Sequence, residues 1–346
     1  MRITAVFLAT LTLSACATSS SDDPAAEPGE KITKVVIATH DSWAAPKKLI
    51  KQFEKETGYD VTILPSGDAG ALTNKLVLTK DSPIADGVYG IDNTFATRAL
   101  DEDVFADYRS DVLPVGDYDL SGGEDQLSPV DWGDVCVNID DTWFEAQNVT
   151  PPATLDDLLE PEYENLFVTS GAASSSPGFA FLLATIGRYG EDGWQDYWTE
   201  LMKNGAKLTS GWEDAYFTDF TFSGGDRPIV LSYNSSPPFT IEKKTKQPAT
   251  SALLDTCFRQ VEYAGVLEGA NNPEGAQAFI DFLQGRAFQE SLPENMYVMP
   301  VDPGAELPSI WAKYAEPATD PIEVDPADIS EHRADWLTEW GDLTTR

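Results

Sequence analysis

The sequence predicts an α/β chain in two lobes, built on mixed, mostly parallel sheets and joined by two interlobe crossovers. Three observations predict it. A strand, loop and helix pattern repeats near the start, a second set of units follows a stretch of Gly and Pro punctuation, and a late strand carries the chain back.

The first unit begins with the β-branched, apolar run Lys34 to Ala38. It ends at Thr39-His40-Asp41-Ser42-Trp43, after which Leu49, Ile50 and Phe53 fall on one helical face up to Gly58. The alternation returns at Val61 to Leu64, followed by Gly67-Asp68-Ala69-Gly70 and a helix carrying Leu72 and Leu76. It returns again at Gly87 to Ile91, followed by Asp92-Asn93 and another helix. Ligands of such sheets bind beyond the carboxyl ends of the strands, so the loops bearing His40, Asp41, Asp68 and Asp92 are expected to converge on one crevice.

Gly and Pro punctuate the chain between Leu113 and Pro129, and a strand is expected around Asp134 to Ile139. Ser174-Ser175-Ser176-Pro177-Gly178 then opens an apolar helix from Phe179 to Ile186, with Pro177 in the first turn, where its missing N–H costs nothing. The free N–H groups there, with the hydroxyls of Ser175 and Ser176 and the open backbone at Gly178, can hold an anion; an ordinary serine cap fits the same residues. Trp194, Trp198 and Leu201 recur at helical spacing and read as core. Trp212, Tyr216 and Phe220 share that spacing, but Trp212 follows a Ser-Gly turn and can face a cleft. The strand Ile229 to Tyr233 runs into Asn234-Ser235-Ser236-Pro237-Pro238-Phe239, a loop whose end aromatics, Tyr233 and Phe239, can clamp a flat ring.

A returning strand is expected over Asp255 to Ala264. Asn272-Pro273-Glu274 then starts a helix that buries Ala278, Phe279 and Phe282. Ile329, Trp336 and Trp340 mark a last packing helix. The expected division is residues 31–134 with 258–346 in the first lobe and 135–257 in the second, with crossovers near Val135 and Phe258.

The N-terminus sets the compartment. Met1-Arg2 precedes an apolar run from Ile3 to Leu13, too short to span a bilayer, and Leu13-Ser14-Ala15-Cys16 has the pattern of a bacterial lipoprotein signal. Residues 1–16 read as that signal, with Cys16 lipidated and the protein held at the outer face of the cell membrane or in the periplasm. Residues 17–30, rich in Ser, Asp, Ala and Pro, read as a disordered tether. Of three cysteines, Cys136 and Cys257 then remain as a pair in an oxidising compartment, on neighbouring hinge strands, and a disulfide is expected. A net charge of −35 excludes nucleic acid and an anionic membrane surface as partners, suits a cationic ligand only weakly, and equally fits an acidic, soluble surface. Membrane contact is therefore expected through the lipid alone, with a monomer as the working unit and no metal or cofactor.

Several local patterns together are distinctive: Thr39-His40-Asp41-Ser42, Gly90-Ile91-Asp92-Asn93, Pro129-Val130-Asp131-Trp132-Gly133, Ser174-Ser175-Ser176-Pro177-Gly178, Gly211-Trp212-Glu213-Asp214-Ala215-Tyr216, Leu231-Ser232-Tyr233-Asn234-Ser235-Ser236-Pro237 and Met299-Pro300-Val301. On these the chain resembles the thiamine-binding proteins of bacterial ABC transporters, which have the type II periplasmic-binding fold. The resemblance implies a cleft where aromatic faces sandwich thiamine, with the aromatic contacts at Trp212, Tyr233, Phe239 and Tyr297, a cleft acid at Asp68, and the serine loop available for a phosphate ester. It also implies an ABC permease as partner. His40 stands where the family often has Tyr, and Tyr297 and Phe239 where it has Trp and Tyr.

Two other functions fit parts of the pattern. A thiamine-cleaving enzyme of the same fold would need Cys136 free as a nucleophile. A binding protein for a polyamine or ferric iron would keep the fold and change the cargo, although no paired tyrosines or His-rich cluster suggest iron.

Overall fold

The described chain, residues 32–114 and 116–345 in this computed structural model, forms one mixed sheet of ten strands. The export signal, Cys16 and the tether lie outside the described residues. The strands are β1 (Lys34–Thr39), β2 (Asp60–Pro65), β3 (Gly87–Asp92), β4 (Leu127–Asp140), β5 (Phe167–Ser170), β6 (Lys207–Thr209), β7 (Ile229–Tyr233), β8 (Thr250–Ala252), β9 (Phe258–Val266) and β10 (Met299–Pro300). Their order is β2-β1-β3-β9-β4-β7-β5-β6, with β8 and β10 also paired to β4.

Three parallel strands stand at each end, β2-β1-β3 and β7-β5-β6, as the repeated β-α units require. Between them β4 and β9 pair antiparallel with each other and with their neighbours. At Val135, β4 changes partners: it faces Phe258 of β9 and Tyr233 of β7, and beyond that point it runs with β7. Strand β4 is longer than expected, 14 residues against the six from Asp134 to Ile139, because its first half carries the pairing with β9.

The helix Lys47–Thr57 buries Phe53 and stops at Gly58, whose φ of 76° is the left-handed cap a glycine supplies without strain. On the second lobe the helix Ser176–Tyr189 is buried from Ser176 to Ile186 and packs with Trp194 and Trp198, both fully buried, in one large core. The C-terminal helix Pro326–Thr344 corrects an expectation. Grouped by sequence with the first lobe, it buries Ile329, Trp336 and Trp340 in the second lobe's core, with Trp340 edge-on to Trp198 at 5.6 Å. Three aromatic or branched side chains on one helical face need an apolar partner, and the helices of the second lobe offer it.

Cys136 and Cys257 form the disulfide, with sulfurs 1.98 Å apart and α-carbons 4.2 Å apart, and both residues are fully buried. Cys136 is therefore spent as a cross-link, which removes the nucleophile that a thiamine-cleaving reading requires. The bond closes a separation of 121 residues, worth about 5 kcal/mol in chain entropy if native strain is small. Replacing both cysteines, Cys136→Ser with Cys257→Ser, should lower the unfolding free energy in urea by about 2 to 5 kcal/mol. An unchanged midpoint would show that the bond constrains nothing the fold does not already hold.

Candidate ligand-binding cleft

The pairing of β3, β9 and β4 sets three acids abreast: Asp92 opposite Glu262, and Glu262 opposite Asp131. All three are buried. The Tyr89 hydroxyl reaches both of the latter pair, 2.7 Å from Asp131 Oδ2 and 3.2 Å from Glu262 Oε2, while His40 Nε2 lies 3.4 Å from Glu262 Oε1. His40 can lie over this strand only because residue 90 is glycine. Gly90 sits at the irregularity in the β3–β9 register with φ of 90°, and a Cβ there would fall 2.1 Å from His40 Cδ2.

Burial of adjacent acids decides where the protons rest. Asp131 is pushed well above the usual carboxylate range by burial and then by the charge of Glu262 beside it. Burial would also raise Glu262, but the charge and hydrogen bond of His40, with hydrogen bonds from Asp131 and Tyr89, hold it below its ordinary value. Burial acts to lower His40, yet Glu262, with Asp68 and Asp41 behind it, lifts the imidazole above its ordinary value. Asp131 is thus biased toward its protonated form and Glu262 toward its ionised form beside His40.

Above this floor a cavity of about 440 Å³, counting its open mouth, is lined by His40, Ser42, Asp68, Ser176, Trp212, Tyr233, Gln260, Glu262, Met296 and Tyr297 among others. Trp212 is held by a hydrogen bond from its Nε1 to Ser232 Oγ at 2.9 Å and by stacking on Tyr216 at 5.3 Å. Tyr297 lies across from it at 6.2 Å, and Tyr233 meets it edge-on at 6.1 Å. Tyr297 has a left-handed backbone, φ 62°, at the end of the helix Leu292–Met296. Its carbonyl accepts a hydrogen bond from the Ser235 hydroxyl. A bulky residue held there is a local cost that the surrounding contacts must offset.

Six of the twelve residues expected at the site line this cavity: His40, Asp68, Ser176, Trp212, Tyr233 and Tyr297. The others sit around it. Asp41 accepts from the Gly67 N–H at 2.9 Å and lines an adjoining recess at the cleft mouth. Tyr216 backs Trp212, and Phe239 backs Tyr297 while packing edge-on to Trp311 at 5.7 Å. Ser175 is buried with its hydroxyl 2.8 Å from that of Ser170. Gly178 lets the helix approach β5 so closely that a Cβ would fall 2.5 Å from the Ser170 carbonyl. Asp92 caps the following turn, accepting from Thr94 N–H at 2.9 Å and Thr94 hydroxyl at 2.6 Å. Burial, opposed by the Ser176 and Thr94 hydroxyls, raises Asp92 to about 6. Glu262, Gln260, Asp131 and Tyr89 were not anticipated as site residues. The available signal was a Glu within the otherwise apolar stretch Val261 to Val266 of a central strand.

Two lobes, a sheet crossing between them and a concave, acid- and aromatic-lined site at the crossing define a binding protein that takes a small solute into its cleft. The sequence matches the family described as bacterial extracellular solute-binding protein over residues 82–320, and the chain belongs to that family. The chain is accordingly a solute-binding protein. The chain is 30% identical over 319 residues to a thiamine-binding periplasmic protein of Escherichia coli K12, covering 90% of this chain and 94% of that one. It is also 30% identical over 333 residues to a thiamine-binding periplasmic protein of Brucella melitensis, with 93% and 95% covered. Among solved structures it is similar to a periplasmic thiamin binding protein, with a TM-score of 0.80, 25% identity and 92% and 98% of the two chains covered. A ferric binding protein from Campylobacter jejuni shares the fold, with a TM-score of 0.69, 16% identity and 89% and 99% covered.

The raised His40 carries a pH signature. Stability from the His40–Glu262 pair is complete below the imidazole's unfolded value near 6.5 and is lost as pH rises through the folded value. Glu262→Gln leaves burial largely unopposed, so the His40 titration followed by NMR should move down, and the decline in stability above about pH 6.5 should flatten. An unmoved His40 titration would show that Glu262 does not hold the proton there.

Proposed function

We propose that this chain captures thiamine in its interlobe cleft and delivers it to an ABC importer, while a lipid on Cys16 keeps it at the outer face of the membrane. The observation that carries the reading is the composition of the cavity: aromatic faces of Trp212, Tyr233 and Tyr297 beside the carboxyl groups of Glu262 and Asp68, with no Lys or Arg among the described lining residues.

Thiamine joins a permanent thiazolium cation to a flat aminopyrimidine. Each aromatic face attracts such a cation by about 0.5 to 2 kcal/mol once water is excluded. The two carboxyl groups add attraction, and the side-chain amide of Gln260 with the Ser176 hydroxyl offers groups for the pyrimidine edge. The thiamine-binding relatives, aligned over some nine-tenths of the chain, support the same cargo. A polyamine could meet the acids and the aromatic faces with its ammonium groups, but it has no flat ring to lie between Trp212 and Tyr297. Closure of the lobes would shut out water and present one closed shape to a permease. The pattern Leu13-Ser14-Ala15-Cys16 supports the anchor, which labelled palmitate would test, with incorporation lost in Cys16→Ser.

Titration of tryptophan fluorescence should give a saturable response to thiamine and none to spermidine. Trp212→Ala should weaken thiamine binding by about ten-fold or more, the usual effect of removing a central aromatic anchor. A saturable response to spermidine with none to thiamine would overturn the assignment.

A further inference from the structure

The helix Pro326–Thr344 is fixed to the second lobe by its tryptophans, yet it also touches the first. Trp336 donates from Nε1 to Glu191 at 3.1 Å, and Trp340 packs on Trp198. On another side of the same helix, the Ser330 hydroxyl donates to Asp101 at 3.0 Å, and Asp101 ends the first-lobe helix Ala96–Asp101. Arg333 stands three residues on, close to Ser330 along the helix surface.

Phe95 joins the two lobes beneath Arg333. It precedes the helix Ala96–Asp101, and its N–H donates to Asp92 Oδ1 at 3.2 Å, so its backbone belongs to the end of β3. Its ring is nevertheless fully buried in the second lobe's core, 5.3 Å from Phe179. The lobes touch at this point: a Cβ on Gly70 would fall 2.8 Å from Phe95 Cζ and 2.9 Å from the Ser174 carbonyl carbon. The Arg333 guanidinium covers both rings, 4.8 Å from the centre of Phe95 and 5.4 Å from that of Phe179, within reach of cation–π attraction to each. Arg333 is buried, and its Nε has no hydrogen-bond partner among the described residues. Burial, and then the charge of Arg98, lower it to about 10, which leaves it charged at neutral pH. None of Phe95, Phe179 and Arg333 lines the cavity. A contact made with the lobes together favours that arrangement over any in which the rings part.

We propose that Arg333 is an interlobe latch: by covering a first-lobe and a second-lobe phenylalanine with one guanidinium, it lets the C-terminal helix hold the lobes together, and so sets how readily the cleft opens and how tightly it captures its solute. The effect on thiamine affinity rests on the thiamine reading above; the latch does not. Pulsed EPR of ligand-free protein would follow the lobes, with spin labels at Lys51→Cys in the helix Lys47–Thr57 and Thr199→Cys in the helix Trp194–Lys203. Cys16→Ser in the same chain leaves the labelled positions as its free thiols, since Cys136 and Cys257 are bonded. Arg333→Met keeps the apolar body of the side chain and removes its charge. It should move the balance of short to long interlobe distances toward the long by about three-fold or more, and weaken the thiamine Kd by about three-fold or more. Arg333→Lys keeps a cation over the rings but loses the planar face, and should shift both in the same direction by less.

A wild-type distance distribution in folded Arg333→Met, even with a lower urea midpoint, makes Arg333 core packing alone and overturns the latch. If Arg333→Met does not fold, Arg333→Lys decides in the same way. Longer distances with an unchanged thiamine Kd overturn the control of capture. If wild-type protein binds no thiamine, the thiamine reading fails, while the label distances still decide the latch.

Discussion

The antiparallel pairing of β4 with β9 is the constraint on which the cleft depends. From Leu127 opposite Gly265 to Val135 opposite Phe258, the two strands form the bridge between a parallel sheet on either side. Their register places Glu262 against Asp131, and the pairing of β9 with β3 brings Asp92 alongside. A slip of one residue would turn these side chains to the other face. The disulfide between Cys136 and Cys257 fastens this ribbon where β4 leaves β9 for β7.

From that register follows the electrostatics of the floor. Three carboxyl groups buried at close range oppose one another's ionisation; burial and the charge of Glu262 raise Asp131, while His40 holds Glu262 below its ordinary value. A solute entering the cavity meets the Glu262–His40 pair, held in place by backbone pairing, and the carboxyl group of Asp68. The aromatic walls are built by the second lobe and the late return of the chain: Trp212 rests on Tyr216, and Tyr297 rests on Phe239. Both contact aromatics therefore have a second aromatic behind them, which limits the side-chain entropy lost when a ligand orders the site.

The β-α units could be read from the sequence because period and punctuation are local: Gly58 ends a helix, and Asp68 starts one. What depended on distant pairing was less legible. The C-terminal helix carries Ile329, Trp336 and Trp340 at clear helical spacing, but nothing local says which lobe they cover. Trp212, Tyr233, Tyr297 and Asp68 line the cavity, whereas Tyr216, Phe239, Ser175 and Gly178 stand behind its lining. The aromatic spacing of Trp212 and Tyr216 does not say which ring faces the cavity. Glu262 was missed because its partners His40, Tyr89 and Asp131 are assembled only by the strand register.

The cleft is thus a clamp whose negative charge is fixed at the crossing strands and whose aromatic faces come chiefly from the second lobe and the returning chain. A crystal structure of the protein grown with thiamine tests capture most directly. The ligand should lie in the cavity between Trp212 and Tyr297, with its thiazolium against an aromatic face and a carboxyl oxygen of Glu262 or Asp68 within contact distance. Thiamine bound outside this cavity, or a cleft without thiamine in crystals grown at saturating concentration, would contradict that role.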